Sequence, residues 1–352
     1  MKRLVKGIII YIFLFTILFH IKPFNDFFTN KATIESIPIE IKESMEVMVK
    51  SFNKSVIQES NYAENQVIMT EDFTCLNISI GDSIEKVLKE LGEPQRIDLS
   101  KYGFEWYIYN KDYSKYMQVG IEDGKVVGLC SNSPIWESEN GLKIGSKREE
   151  VEKVLGKPIE YIKKDDTLYY INTPEENSTY LINNYYITFF YDIHDEYKVS
   201  AIKIIERTME ESLKGFYGMN SERLRESFEM EIFDLANATR VRLGKPPFIW
   251  GEEGRSAGRK HSMNMAKRGF FNHVDPHGRG PAHRIEEEGV SWQKVGENIA
   301  AGQTSPIFAH ENWMNSMGHR ENLLGDFKNL GVGVYFGGDY HVYYTQKFFT
   351  TF

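Results

Sequence analysis

Two cysteines, Cys75 and Cys130, are all that the 352 residues contain, which excludes a disulfide-stapled scaffold and leaves hydrophobic cores to supply the stability. Whether the two pair or sit as separate buried thiols stays open, because spacing in sequence gives no distance. A basic excess is missing too. The formal net charge is −8 and no Lys/Arg stripe gathers anywhere, so a nucleic-acid partner, which needs a basic face to displace counterions, is excluded. Signatures of covalent catalysis are also lacking. There is no Gly-x-Ser-x-Gly elbow, and both cysteines precede the C-terminal region. Gly278 to Gly280 and Gly337-Gly338 read as turn glycines rather than a phosphate loop, and His310-Glu311 lacks the second His of a zinc-protease helix.

What is present divides by texture. Lys2, Arg3 and Lys6 precede an uncharged apolar run, Gly7 to Phe19, the layout of an export or membrane-insertion signal. The flank His20 to Asn30 lacks a small-x-small cleavage pattern. The expectation is therefore an uncleaved single-pass anchor over residues 1–21 in the cell membrane, with the domains on the extracytoplasmic side; cleavage would instead make the chain secreted. Residues 22–74 read as a stalk, with an amphipathic helix over Ile41 to Phe52.

An internal repeat follows. Ile80-Gly81, Leu91-Gly92 and Pro94 recur 64 positions later as Ile144-Gly145, Leu155-Gly156 and Pro158. Each copy spells a short helix, capped by Ser83 or Ser146 and stopped by Gly-x-Pro, then aromatic alternating strands. The strands expected are Phe104 to Tyr109, Met117 to Ile121, Lys125 to Leu129, Tyr186 to Tyr191 and Val199 to Ile205. Two helix-plus-antiparallel-sheet units make one domain over residues 75–207. It resembles the CAP-associated N-terminal domain that precedes CAP domains in some Gram-positive bacteria, with repeats like those of the beta-lactamase-inhibitor-like fold. That resemblance implies a spacer, or a surface on an exposed sheet face that recruits a protein partner.

From Ser221 the chain alternates helical patterns with Gly-rich loops. Arg223 to Leu243 and Glu252 to Arg268 read as helices, Ser305-Pro306 opens a third, and Gly331 to Phe336 and His341 to Phe348 read as strands. Several motifs fall in order: Ala257-x-x-x-His261-x-x-x-Met265, Phe271-Asn272-His273, Gly296-Glu297-Asn298-Ile299, Trp313-x-x-Ser316-x-Gly318-His319-Arg320-x-Asn322, Gly331-Val332-Gly333 and Tyr344-Thr345-Gln346. Residues 221–352 thereby resemble the bacterial, SCP-like branch of the CAP superfamily, which groups cysteine-rich secretory proteins, antigen 5 and pathogenesis-related proteins. The fold class expected for the chain is α+β, ending in an alpha-beta-alpha sandwich with a cleft.

The resemblance implies a cleft of two histidines and two acidic residues that is able to hold a divalent cation. His273 matches the first His and Glu297 the first acid, but Ser316 stands where the family has Glu and Tyr343 where it has His. His319 is the candidate replacement imidazole. His273, His319 and Glu297 are thus the candidate ligands for a cation such as zinc, and Ser316 and Tyr343 complete the expected cleft. His261 reads as a buried, hydrogen-bonded helix residue, and Asn298 and Asn322 as loop locks. The function expected is binding of a small apolar or cell-wall-derived ligand; the alternative is hydrolysis of peptide or wall material at a His/Glu site.

Overall fold

The computed structural model describes residues 72–171 and 175–352, within the second of the two units into which the chain divides, Ile68–Phe352. The expected anchor over 1–21 and the stalk helix over 41–52 lie outside the described residues. Among the described residues, no helix is long and apolar enough to cross a membrane. The stalk as drawn runs two residues too far, since β1 (Phe73–Cys75) already pairs antiparallel with a strand of the repeat region.

The first repeat contains α1 (Ile84–Leu91), β2 (Arg96–Leu99), β3 (Glu105–Tyr109), β4 (Met117–Glu122), β5 (Lys125–Ser131) and β6 (Trp136–Ser138), the last being the partner of β1. The second contains α2 (Arg148–Leu155), a hairpin of β7 (Tyr161–Lys164) and β8 (Thr167–Tyr170), then β9 (Asn177–Ile182), β10 (Tyr185–Asp192), β11 (Lys198–Glu206) and α3 (Arg207–Ser212). Ser83 caps α1, its hydroxyl accepting the Lys86 N–H at 3.3 Å. The cap expected from Ser146 is not made. The residue 64 beyond Ser83 is Lys147, which occupies the N-cap; the Glu150 carboxylate accepts its N–H at 2.8 Å, while Ser146 turns back to the Lys143 N–H. Both helices end on a glycine at positive φ, Gly92 at 76° and Gly156 at 73°, where a side chain would be strained.

The two repeats do not close as separate small sheets. They join edge to edge through β5 and β11 into one seven-stranded antiparallel sheet, β2-β3-β4-β5-β11-β10-β9. Side chains alternate across it. Val119, Leu129, Ile187 and Phe189 pack under Val87 of α1 and Val151 of α2. Trp106, Ile108, Cys130, Phe190 and Ala201 face the other way, onto Leu235, Ala238 and Ile307 of the C-terminal region. The sheet face expected to be exposed for a partner is therefore covered by helices of the same chain. Cys75 and Cys130 are both free and buried, and burial raises both thiols.

The C-terminal region contains α4 (Glu222–Arg242), β12 (Ile249–Trp250), α5 (Glu252–Arg268), α6 (Pro281–Glu286), β13 (Trp292–Ala301), α7 (Pro306–Asn315), α8 (Met317–Leu323), β14 (Asn329–Phe336) and β15 (Val342–Thr351). Its sheet runs β12-β14-β15-β13, which leaves β13 at an edge. Alternation along β15 sorts two layers: Val342, Tyr344 and Phe348 pack with Phe228, Ile232, Trp313 and Leu323 of α4, α7 and α8, whereas Tyr343 and Phe349 pack toward Met265, Ala257 and Ile285 of α5 and α6. This is the helix-sheet-helix sandwich read from the motifs. Helix α5 lies close on β14 because glycine meets glycine: a Cβ on Gly333 would run into the backbone of Gly258 and Arg259.

The two halves meet through a polar as well as an apolar contact. Asp234 of α4, fully buried, accepts from Arg96 at 2.6 Å, Asn110 at 2.9 Å and Tyr113 at 2.9 Å, all in the repeat half. Asn132 donates to the Leu235 carbonyl, and Ser200 to Glu311 of α7 at 2.5 Å. A buried carboxylate that loses its cation is an uncompensated charge, so Arg96→Met should destabilise the protein by about 3 kcal/mol. Denaturant unfolding of wild type and variant checks this, and the shared core predicts that both halves unfold in one transition.

Candidate functional site

Strand β13 presents Glu297 toward the α5/α6 layer, opposite Lys347 in the register of β13 with β15. Its side chain is 1% exposed, and an isolated carboxylate there would be costly. Three side chains offset that cost and a fourth lies nearby. Arg284 of α6 donates Nη2 to both carboxylate oxygens at 2.9 Å, Lys347 forms an ion pair with Oε2, His273 donates Nδ1–H to Oε1 at 2.9 Å, and His261 Nε2 lies 3.8 Å away. Burial by itself would raise the Glu297 carboxyl; the His273 hydrogen bond and the charges of Lys347, His261 and Arg284 outweigh it and hold the group at about 2.

His273 follows the end of α5 with its side chain 45% exposed. A carboxylate only accepts hydrogen bonds, so Nδ1 carries the proton and Nε2 of the neutral ring is left as a free acceptor. His319 comes from α8 in the opposite helical layer. Its Nδ1 is buried without a hydrogen-bond partner, and burial, then the neighbouring His273, lowers its pKa. Two imidazoles thus approach each other beside edge strand β13. Asn298 and Asn322 act as the locks expected of them: Asn298 Nδ2 holds the His319 carbonyl at 3.1 Å, and Asn322 Nδ2 holds Asn298 Oδ1 at 2.9 Å.

The structure joins His273 to Glu297 at 2.9 Å and ties the His319 main chain to Asn298, the residue after Glu297, but does not gather the whole expected set. Tyr343 is 1% exposed within the apolar cluster of Met265, Ala266 and Ile299. Ser316 is half-buried at the α7–α8 junction. Sequence reasoning missed Arg284 and Lys347. Lys347 carried a signal, a lysine inside an otherwise uncharged strand; Arg284 carried none. His261 is buried and bonded to the Asn272 carbonyl at 3.1 Å, as read, yet it also faces Glu297.

The donor set does not fit a divalent cation. The carboxylate is already saturated by Arg284, Lys347 and His273, and two fixed positive charges beside it would repel a dication. Among the described residues, no three His, Cys, Asp or Glu side chains are grouped to hold a metal. Exposed apolar side chains flank both histidines in sequence. Phe271, Val274 and Met317, each within two positions of His273 or His319, are 46%, 50% and 55% exposed, and Tyr340 lies 6.4 Å from Phe271 between ring centroids.

One wall of this cleft is anchored by the repeat half. Asp192 accepts from Arg320, next to His319, at 2.8 Å, and Asn315 Nδ2 donates to the Tyr191 carbonyl at 2.9 Å.

The charge arrangement fixes an acid dependence. Glu297, lowered to about 2, contributes stability that is present above the unfolded carboxyl range near 4.5 and lost as pH falls toward 2. His261 is lowered by burial to about 4, so the folded ring refuses a proton that the unfolded one takes, and stability is also lost between about pH 6.5 and 4. The Glu297 and His261 contributions should therefore both diminish below pH 6.5, and His261→Gln should lessen the loss of stability between pH 6.5 and 4 relative to wild type in denaturant titrations across pH.

Comparisons with known proteins agree with this anatomy. The CAP-associated N-terminal family matches residues 80–216, and the cysteine-rich secretory protein family matches residues 233–348. The Bacillus subtilis membrane protein YlbC is 31% identical over 290 residues, 76% of this chain and 82% of its own length. Bacillus subtilis YkwD is 34% identical over 123 residues, covering 35% of this chain and 47% of its own. A crystal structure of an SCP-domain extracellular protein from Bacillus anthracis superposes with a TM-score of 0.68 at 28% identity, covering 77% of this chain and 94% of that one. A Staphylococcus aureus cysteine-rich secretory protein, at 16% identity and a TM-score of 0.60 over 78% of this chain and 95% of its own, shares the fold. The chain belongs to the CAP family, the cysteine-rich secretory protein family, in the form that carries a CAP-associated N-terminal domain.

Proposed function

We propose that the protein is an extracytoplasmic, membrane-held binding protein whose cleft takes a small ligand with an apolar body and one hydrogen-bonding group, such as a wall-derived fragment. The observation that carries this reading is His273 Nε2, left free by the Glu297 hydrogen bond on a side chain 45% exposed and flanked in sequence by the exposed apolar side chains Phe271 and Val274. A mostly apolar surface with few converging polar groups is the usual composition of a small-molecule site. The placement outside the membrane is supported by the membrane protein YlbC and the extracellular Bacillus anthracis protein, and by the apolar N-terminal run.

The 2.9 Å contact between His273 and Glu297 favours a second reading, hydrolysis of peptide or wall material with His273 Nε2 taking a proton from water. Its base would be oriented by Glu297, with no metal required.

Titrating the protein with muropeptides and, separately, with fatty acids, while following the histidine ring protons by NMR, tests both. Saturable shifts of His273 and His319 that disappear in His273→Ala and His319→Ala are expected; binding unchanged in both variants would sink the cleft reading. Product formation abolished by His273→Ala with binding retained would establish the hydrolase instead. Asp192→Ala touches no ligand, yet it removes an ion pair worth about 1 kcal/mol of stability from the segment that carries His319 and should weaken binding by at most a factor of about five.

A further inference from the structure

Among the described residues, buried carboxylates are held by cations, with two exceptions. Asp98 and Asp234 share Arg96, Asp192 takes Arg320, Glu210 takes Lys164 and Glu297 takes Arg284 and Lys347. Glu231 of α4 and Glu311 of α7 are buried as deeply, at 4% and 3% exposed, and neither forms an ion pair with a Lys or Arg among the described residues. Each also has one carboxyl oxygen, Oε1, that is buried without a hydrogen-bond partner. Both lie where the two halves of the described chain meet.

Glu311 faces the repeat half through Ser200 of β11, whose hydroxyl donates to Oε2 at 2.5 Å. The charged and titratable groups around it are Arg242 of α4, Arg320 of α8, Asp192 of β10, Cys130 of β5 and its own neighbour His310. The two arginines are spent elsewhere: Arg242 Nη1 donates to the Ser200 carbonyl and Arg320 Nη2 to Asp192, both at 2.8 Å. His310 Nε2 is 3.9 Å from Glu311 Oε1, and burial lowers this imidazole to about 3, so it brings no charge. Around Glu231 stand Asp98 and Arg96 of β2, Asp234 of its own helix, Tyr116, Cys130 and Tyr344. Arg96 is already divided between Asp98 and Asp234, so one guanidinium serves three carboxyls.

A buried carboxyl with no cation is more stable with its proton than without it. We infer that the contact between the two halves is a proton-dependent latch, in which Glu231 and Glu311 enter the interface as neutral acids and loss of the Glu311 proton weakens the hold of α7 on β11. Burial raises Glu311 from the usual carboxyl range to about 7. A folded value above the unfolded one gives a contribution to stability that is complete below about pH 4.5 and is lost as pH rises toward 7. This is the opposite sense to Glu297, whose partners lower it. The inference does not depend on what the cleft binds.

Urea unfolding of the full chain, wild type and Glu311→Gln, at intervals from pH 5 to 8 tests it, because glutamine keeps the shape of the neutral acid and cannot ionise. The folding constant of the variant relative to wild type should rise at least about tenfold between pH 5 and 7. Hydrogen exchange of the two proteins, compared at the same pH, should then show α7 and β11 exchanging faster in wild type at pH 8 and alike at pH 5. A ratio of folding constants that does not change with pH would overturn the inference, as would a Glu311→Gln protein that fails to fold, or an exchange difference at pH 8 that leaves out α7 and β11.

Discussion

The Glu297 carboxylate sits where water cannot solvate it, and much of the C-terminal half is arranged to neutralise it. Arg284 ties α6 to β13, Lys347 ties β15 to β13 through their register, and His273 ties the loop after α5 to the same oxygens. An ionised group in such a place costs several kcal/mol unless its partners are in good geometry. The same demand orients the cleft. Because Nδ1 of His273 is committed to Glu297, its Nε2 is presented outward, beside an imidazole whose own protonation is disfavoured by burial. It also explains why a cleft that resembles a metal site is ill suited to metal: its one carboxylate already has cationic partners fixed by the backbone.

The repeat domain is part of that arrangement and not a detachable spacer. Its sheet buries one face under its own helices and the other under α4 and α7, its side chains complete the hydrogen bonding of Asp234 and Glu311, and its Tyr191 carbonyl accepts from Asn315. Through Asp192 and Arg320 it fixes the segment that carries His319. Glu311 is raised to about 7, burial outweighing the Ser200 hydrogen bond and the Arg242 charge, so the interface also holds a carboxyl poised near neutral pH.

Local patterns in the sequence were sufficient for the elements with strong periodicity or punctuation. Helix α5 runs over Glu252–Arg268 as read, and the repeat markers fall on the glycine stops of α1 and α2. The order of motifs from His273 to Gln346 was sufficient for the family. Ser146 misled because a hydroxyl near a helix start can cap it only from the N-cap position itself, and here that position belongs to Lys147.

The sequence by itself determined the repeat, the CAP-associated and CAP motifs that give the family, and pointed to His273 and Glu297, which meet at 2.9 Å. Only the tertiary structure decided that the repeats share one sheet, that its free face is already occupied, and that Arg284 and Lys347 complete the environment of Glu297. The reason is range. Caps, turns and hydrophobic periods are set by residues a few positions apart, whereas strand-edge pairing and the neutralisation of a buried charge join residues on different elements, 13 positions apart for Glu297 and Arg284 and 50 for Glu297 and Lys347, and no spacing in the chain encodes which partner will be met.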